Sequence, residues 1–247
     1  MSKEIMEVTF RIQRFDPAKD RYPYFREYRV PVRRGMTVLE ALIYIKENLD
    51  ATLSFRYSCR SAVCGSCGML INGVQRLACA TQILELNTDV IEVAPMPNYP
   101  VIKDLIVDLT RLFETHRKVK PFLIRKDIKE QEEPTKEYYQ TWKDIVDRIL
   151  QFTYCIKCGM CLSACPTVGY DKEYLGPVAL TQAFRYIADT RDEGANERIK
   201  VVDSPHGCWN CHFAASCSEV CPKGVDPALA IQLLKKVIIK RKLGLKI

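Results

Sequence analysis

The stretch Cys155-Ile156-Lys157-Cys158-Gly159-Met160-Cys161-Leu162-Ser163-Ala164-Cys165-Pro166 sets cysteines at offsets of zero, three, six and ten, and proline follows at once. A second stretch, Cys211-His212-Phe213-Ala214-Ala215-Ser216-Cys217-Ser218-Glu219-Val220-Cys221-Pro222, repeats offsets zero, six and ten and the proline, but has Ala214 at offset three. The first pattern is the bacterial type of cubane-binding run, in which three thiolates hold one cluster and the fourth reaches across to another. By reciprocity the remote ligand is Cys221, so Cys155, Cys158, Cys161 and Cys221 are expected to hold a 4Fe-4S cluster. Cys165, Cys211 and Cys217 remain for the other, and because Ala214 offers no thiolate at the fourth corner, a 3Fe-4S cluster is the expected product. Cys208 reads either as a small buried residue beside that cluster or as a fourth ligand that restores a cubane. Trp209 reads as cover for the cluster.

Earlier in the chain, Cys59, Cys64, Cys67 and Cys79 are separated by four, two and eleven residues. This is the plant-type spacing for a 2Fe-2S cluster, with three ligands from one tight loop and the fourth from a following strand end. Gly65 and Gly68 suit a loop that wraps an inorganic core, since glycine reaches unusual backbone angles and leaves amide N–H groups free to point at sulfur. A four-cysteine zinc site would instead use two separated pairs. Three clusters of different type spread their potentials widely, which is what an electron relay needs. The chain has no dinucleotide fingerprint or Gly-rich phosphate loop, and its three histidines lack metal-ligand spacing, so no substrate active site is expected in it.

Twelve cysteines in 247 residues are not needed as staples, because a chain of this length buries a core of its own. Met1 to Phe15 alternates charged and apolar residues rather than reading as a secretion signal, which favours a reducing compartment and metal binding over disulfides. No apolar run approaches a membrane span. The net charge of +7 is scattered among acids and reads as a solvated surface, so no nucleic-acid partner is expected. A zinc-binding interaction or nucleic-acid module is the competing non-enzymatic reading. The basic tail, with Lys235, Lys236, Lys240, Arg241, Lys242 and Lys246 around Val237, Ile238 and Ile239, reads either as a solvated helix end or as a contact for a partner or lipid headgroups.

The fold class expected is α+β. Val8, Phe10 and Ile12, and then Tyr28, Val30 and Val32, alternate with polar residues as half-buried strands do, and Gly35 closes that pair. Thr37 and Glu40 form a capping box for a helix with an apolar face of Leu39, Leu42, Ile43 and Leu49. Met69 to Ile71 and Val90 to Val93 are further strands, with Asn72-Gly73 as a hairpin turn. Prolines 95, 97 and 100 mark a boundary after which strand patterning stops, dividing a sheet domain (1–103) from a helical one (104–247). In the latter, Leu105, Leu109, Leu112 and Phe113 are helically spaced, Lys126 to Lys136 is a charged surface excursion, and helices are expected over Trp142 to Phe152, Ala179 to Ala188 and Pro227 to Ile239.

Ser58-Cys59-Arg60, Cys64-Gly65-Ser66-Cys67-Gly68, Leu77-Ala78-Cys79, Cys155-Ile156-Lys157-Cys158-Gly159 and Ser218-Glu219-Val220-Cys221-Pro222-Lys223, with Gly176-Pro177 and Arg185-Tyr186 between, together resemble the iron-sulfur subunit of the fumarate reductase and succinate dehydrogenase family, its fumarate reductase branch in particular. The resemblance covers nearly the whole chain. It implies a β-grasp ferredoxin domain followed by a helical bacterial-ferredoxin-like domain, at the cytoplasmic face of the cell membrane. The chain would lie between a FAD-bearing flavoprotein, where fumarate and succinate interconvert, and a membrane anchor that handles quinone. The 2Fe-2S cluster would face the flavin and the 3Fe-4S cluster the membrane. It also implies quinone contacts at His212, Phe213, Gln232 and Lys235. The tryptophan that succinate dehydrogenase branches place shortly after the cysteine-proline pair is absent from Cys165-Pro166-Thr167-Val168-Gly169-Tyr170, which favours menaquinone over ubiquinone. The same relay in a soluble, thiol-linked fumarate reductase is the alternative.

Overall fold

The computed structural model describes residues 6–126 and 140–245, so Lys246 and nearly all of the Lys126 to Lys136 stretch lie outside the described residues. Two compact units emerge: one runs through Leu109 and also takes in Ile156–Ser163, and the other comprises Thr110–Cys155 and the chain from Ala164 onward.

The first unit is a mixed sheet of β1 (Met6–Arg14), β2 (Tyr24–Val32), β3 (Gly68–Ile71), β4 (Val74–Leu77) and β5 (Val90–Ala94), in the order β2-β1-β5-β3-β4. β1 and β5 pair in parallel, Phe10 opposite Ile91 and Ile12 opposite Val93, and the other neighbours are antiparallel. Their alternation buries Val8, Phe10 and Ile12 on one face, and each large apolar side chain removed from water contributes about 1.5–3 kcal/mol. Asn72 (φ 48°) and Gly73 (φ 76°) turn β3 into β4 with both central residues left-handed, as a two-residue hairpin of that twist requires. The β1–β2 connection is made by residues 15–23, and Gly35 turns the chain after β2 instead of closing the pair. Helix α1 (Val38–Tyr44) starts at the Thr37/Glu40 capping box. It buries Val38, Leu39, Ala41 and Leu42 but not Leu49, which is 45% exposed. An α-helix advancing about 100° per residue would set Leu49 beneath Leu42. A wider π-turn over Ile45–Leu49, in which Asp50 N–H reaches the Ile45 carbonyl, rotates less per residue and carries Leu49 off the face.

Strand structure continues beyond the prolines: β6 (Val101–Lys103) and β7 (Ile106–Val107) form a short hairpin with Leu105 buried in its turn. Asp104, held at φ 47°, accepts from Phe15 N–H (3.0 Å), Ser54 N–H (2.9 Å) and Arg14 Nε (3.0 Å). The buried Arg14 guanidinium also donates to Asp50 Oδ2 (2.6 Å), Tyr28 Oη (2.6 Å) and Thr52 Oγ1 (2.9 Å). One cation thus ties β1, β2, the end of the α1 segment and the β6–β7 hairpin together. Burial pushes the Asp50 carboxyl up, but hydrogen bonds from Thr52, Tyr28 and Arg14 outweigh it and hold the group well below the usual carboxylate range.

The second unit is helical. α2 spans Thr110–Lys118, so Leu105 and Leu109 precede it, and Phe113 on its surface is half exposed. The Trp142 to Phe152 stretch is helical with a π-turn over Ile145–Ile149. α3 (Gly176–Ala188) opens with Pro177 in its first turn, three residues ahead of expectation, and is buried from Gly176 to Phe184. It packs against α2, α4 (Ala195–Val202) and α5 (Pro227–Lys242). α4, which its short amphipathic pattern concealed, buries Arg198 against Asp192 (2.6 Å) and the carbonyls of Lys120 and Phe122.

Arg14→Met is expected to lower the stability of the protein by about 3–5 kcal/mol, because it leaves Asp104 buried without its cation and Asp50 with Arg26 (2.9 Å) alone. A denaturant midpoint measured beside wild type checks this.

Candidate metal centres

The first cysteine loop is shaped by three left-handed residues, Arg60 (φ 57°), Ala62 (φ 57°) and Gly65 (φ 76°). Alternating handedness turns successive N–H groups to the inside of the loop. Ser61, Val63 and Cys64 N–H reach Cys59 Sγ at 3.4, 3.3 and 3.2 Å. Ala62 N–H reaches Cys79 Sγ at 3.3 Å, and Cys59 and Ser66 N–H reach Cys64 Sγ at 3.5 Å each. The amides of Ser61, Cys64 and Val63 hold the Cys59 thiol down to about 6. Cys67 behaves oppositely, pushed up to about 12, chiefly by burial. Cys79 sits in a single 3-10 turn after β4, tied to the loop by Ala78 N–H donating to the Cys67 carbonyl (3.0 Å). The unit therefore gathers Cys59, Cys64, Cys67 and Cys79, with amide donors aimed at three of the sulfurs. That donor set fits a 2Fe-2S cluster, whose added negative charge needs such donors.

In the second unit, Cys165, Cys211 and Cys217 line one small cavity of about 20 Å³ together with Ala214 and Ala215. Phe213 (φ 58°) and Ala215 (φ 61°) flank Ala214 in the left-handed region and bend the loop around the space. Tyr174 stands on the same wall, almost fully buried, and its hydroxyl is driven far up, first by burial and then by the charges of Cys211, Cys165 and Cys217. Nothing in the sequence around Tyr174 marked it as part of this site. Burial likewise pushes the Cys217 thiol up to about 12. Cys208 is fully buried and does not line the cavity, and its thiol is raised by burial to about 11. Trp209 is not on the cavity wall either: its indole N–H donates to Asp203 (2.6 Å), and the ring is 40% exposed.

The four quinone candidates gather around Cys211. His212 Nε2 lies 2.8 Å from the Tyr170 hydroxyl, which also donates to Asn210 (3.0 Å), and Phe213 is 57% exposed beside them. Gln232 and Lys235, one turn apart on α5, both turn back to the loop. Gln232 Nε2 approaches Cys211 Sγ at 3.9 Å, and Lys235 Nζ donates to the Cys211 carbonyl at 2.9 Å. Lys235 is thereby set apart from the exposed lysines of the tail.

Of the remaining cysteines, Cys158 and Cys161 belong to the first unit, where Lys157 (φ 55°) and Gly159 (φ 81°) shape their loop. The Gly159 carbonyl accepts from Tyr99 Oη (3.0 Å), and that of Ser163 accepts from Asn98 Nδ2 (2.8 Å). Cys155 and Cys221 belong to the second unit, where Val225 N–H points at Cys221 Sγ (3.4 Å).

Two family models match the chain: a 2Fe-2S iron-sulfur cluster binding domain over residues 9–114 and a 4Fe-4S dicluster domain over residues 151–225. The chain is 45% identical to the fumarate reductase iron-sulfur subunit of Mycobacterium tuberculosis, over 95% of this chain and 92% of that relative. It is 42% identical to the same subunit of Escherichia coli, covering 93% and 92%, and 40% identical to the succinate dehydrogenase iron-sulfur subunit of Paracoccus denitrificans, covering 94% and 88%. Among solved structures it resembles a chain of the Mycobacterium smegmatis Sdh1 complex in the apo form, with a TM-score of 0.82 and 26% identity over 97% of this chain and 98% of that one.

Because Cys208 lies off the cavity wall, Cys208→Ala is expected to leave the iron and sulfide content of the purified protein and its oxidised-state EPR spectrum unchanged. Cys217→Ala, which removes one of the lining thiols, is expected to lose both in part.

Proposed function

This chain belongs to the family of iron-sulfur subunits of fumarate reductase and succinate dehydrogenase, and on that premise we propose that it relays electrons between a FAD-bearing flavoprotein and membrane quinone. In this reading Cys59, Cys64, Cys67 and Cys79 hold 2Fe-2S, Cys155, Cys158, Cys161 and Cys221 hold 4Fe-4S, and Cys165, Cys211 and Cys217 hold 3Fe-4S. The observation that carries it is the contrast between a four-thiol loop lined with amides and a cavity whose fourth corner is Ala214. Such clusters supply one-electron steps whose potentials depend on cluster type, hydrogen bonds to sulfur and exposure. The chain's own work is to hold them, space them and shield them from water.

The domain division proposed goes by cluster, a sheet domain (1–103) for the first and a helical domain (104–247) for the others, whereas the first compact unit runs on through Leu109 and takes in Ile156–Ser163. A membrane anchor is proposed as a partner on the strength of the family, and no helix among the described residues is itself long and apolar enough to cross a membrane. His212, Phe213, Gln232 and Lys235 are the proposed quinone contacts, in a peripheral subunit at the cytoplasmic face. The ammonium of Lys235 would hydrogen-bond a quinone carbonyl, and the missing tryptophan after Cys165-Pro166 favours menaquinone.

EPR of the purified complex at stepped potentials is expected to resolve three clusters of three types. A colourless protein containing zinc and no inorganic sulfide would defeat the reading, and copurification with a flavoprotein but no integral membrane subunit would remove its quinone half. Ala214→Cys, which restores a thiolate at the open corner, is expected to replace the oxidised-state signal of a three-iron cluster by a reduced-state cubane signal at lower potential. Lys235→Met is expected to retain all clusters yet slow quinone-linked turnover by about tenfold or more, the worth of one charge-assisted hydrogen bond.

A further inference from the structure

Gly65 lies between two ligands of the first cysteine loop, yet its closest neighbour belongs to the other ferredoxin-type run. A Cβ built on Gly65 would stand 2.7 Å from Cys158 Cβ and 3.0 Å from Cys158 Cα, closer than side chains tolerate. Both residues belong to the same compact unit. The contact is backbone against the stem of a cysteine, so no flexible side-chain end is available to move aside. Three further contacts hold the Cys158 loop in that position. Gly68 lies against Met96 Sδ and Met160 Cγ, the Tyr99 hydroxyl donates to the Gly159 carbonyl, and Asn98 donates to the Ser163 carbonyl. Gly65 also has φ 76°, a conformation it shares with Gly73, but a Cβ on Gly73 would meet nothing within 4 Å. The backbone angle alone explains a glycine at 73, whereas at 65 the angle and the close approach demand it together.

We infer that Gly65 is a positioning residue for electron transfer between the first two clusters. Its missing side chain lets the backbone next to Cys64 approach the side chain of Cys158 closely, so that a route along the chain from Cys64 to Cys158 is interrupted by one van der Waals contact. This rests on the cluster assignments proposed above. The step moves one electron: the 2Fe-2S cluster is oxidised by one electron as the 4Fe-4S cluster is reduced by one, or the reverse, and no bond forms or breaks. A methyl group at 65 has to push the Cys158 loop away, lengthening that gap while every thiolate ligand is retained.

The test compares wild type, Gly65→Ala and Gly73→Ala in the purified complex, with iron, sulfide and EPR signals counted first. Microwave-power saturation of the reduced 2Fe-2S signal is then recorded with the 4Fe-4S cluster oxidised and reduced, since a nearby paramagnet speeds relaxation. Rapid-freeze EPR follows the arrival of the electron at the second cluster. Gly65→Ala is expected to lose relaxation enhancement and to show slower arrival with full cluster content, while Gly73→Ala, which carries the same backbone penalty, matches wild type. A fully loaded Gly65→Ala that matches wild type in both measurements overturns the inference. So does a wild-type 2Fe-2S signal whose saturation is indifferent to the state of the second cluster, a result available even where the alanine variant fails to assemble. Absence of one cluster type from wild type would instead defeat the cluster assignments.

Discussion

A thiolate is a charge, and a cluster held by several thiolates brings more negative charge than a protein interior accepts without donors. The backbone has to supply those donors, and that requirement shapes the first cysteine loop. Arg60 and Ala62 sit at φ 57° although neither is glycine, a strain that survives only where surrounding structure enforces it. The enforcing partners are sulfurs: Ser61, Ala62, Val63 and Cys64 all aim their amides at Cys59 or Cys79. The sheet around the loop serves as the rigid frame this arrangement needs. β3 and β4 deliver Cys67 and Cys79 from adjacent strand ends, and the Asn72-Gly73 turn fixes their register.

What the sequence made legible follows from the same constraint. Cysteine spacing is set by the distance a loop can cover around a small inorganic core, so it is a local property and reads directly. The capping box at Thr37 and Glu40 and the hairpin at Asn72-Gly73 are local as well, and they stand as read. The departures arise where distant partners decide. β6 and β7 are too short to show alternation, and they exist because the Asp104 carboxylate between them meets Arg14, ninety residues earlier. Leu49 leaves the core because a π-turn intervenes, and hydrophobic spacing cannot announce one. Tyr174 joins the cavity of Cys165, Cys211 and Cys217 through folding alone. Trp209, read as cover, is drawn off by Asp203 and by Lys242, which lies 5.9 Å above its ring.

The surroundings of the two cysteine sites differ in kind, and that difference bears on a relay. At Cys59 the donors are backbone amides in a loop near solvent, which stabilise added negative charge without moving. Around Cys211 the donors are side chains from a helix, Gln232 to the sulfur and Lys235 to the carbonyl, with the buried Tyr174 on the same cavity wall. Side-chain donors can be withdrawn, whereas backbone donors in a rigid loop cannot. If the residues that bind quinone are those that also hold Cys211, a quinone accepting the Lys235 hydrogen bond competes with the Cys211 carbonyl for it. Binding and the electrostatics of the proposed 3Fe-4S cluster are then linked, and the linkage is reciprocal: whatever quinone does to the reduction free energy of the cluster, the redox state of the cluster does to quinone affinity. The proposed 3Fe-4S cluster would thereby sense its partner through one loop, whereas the donors at Cys59 are backbone amides that no ligand draws away.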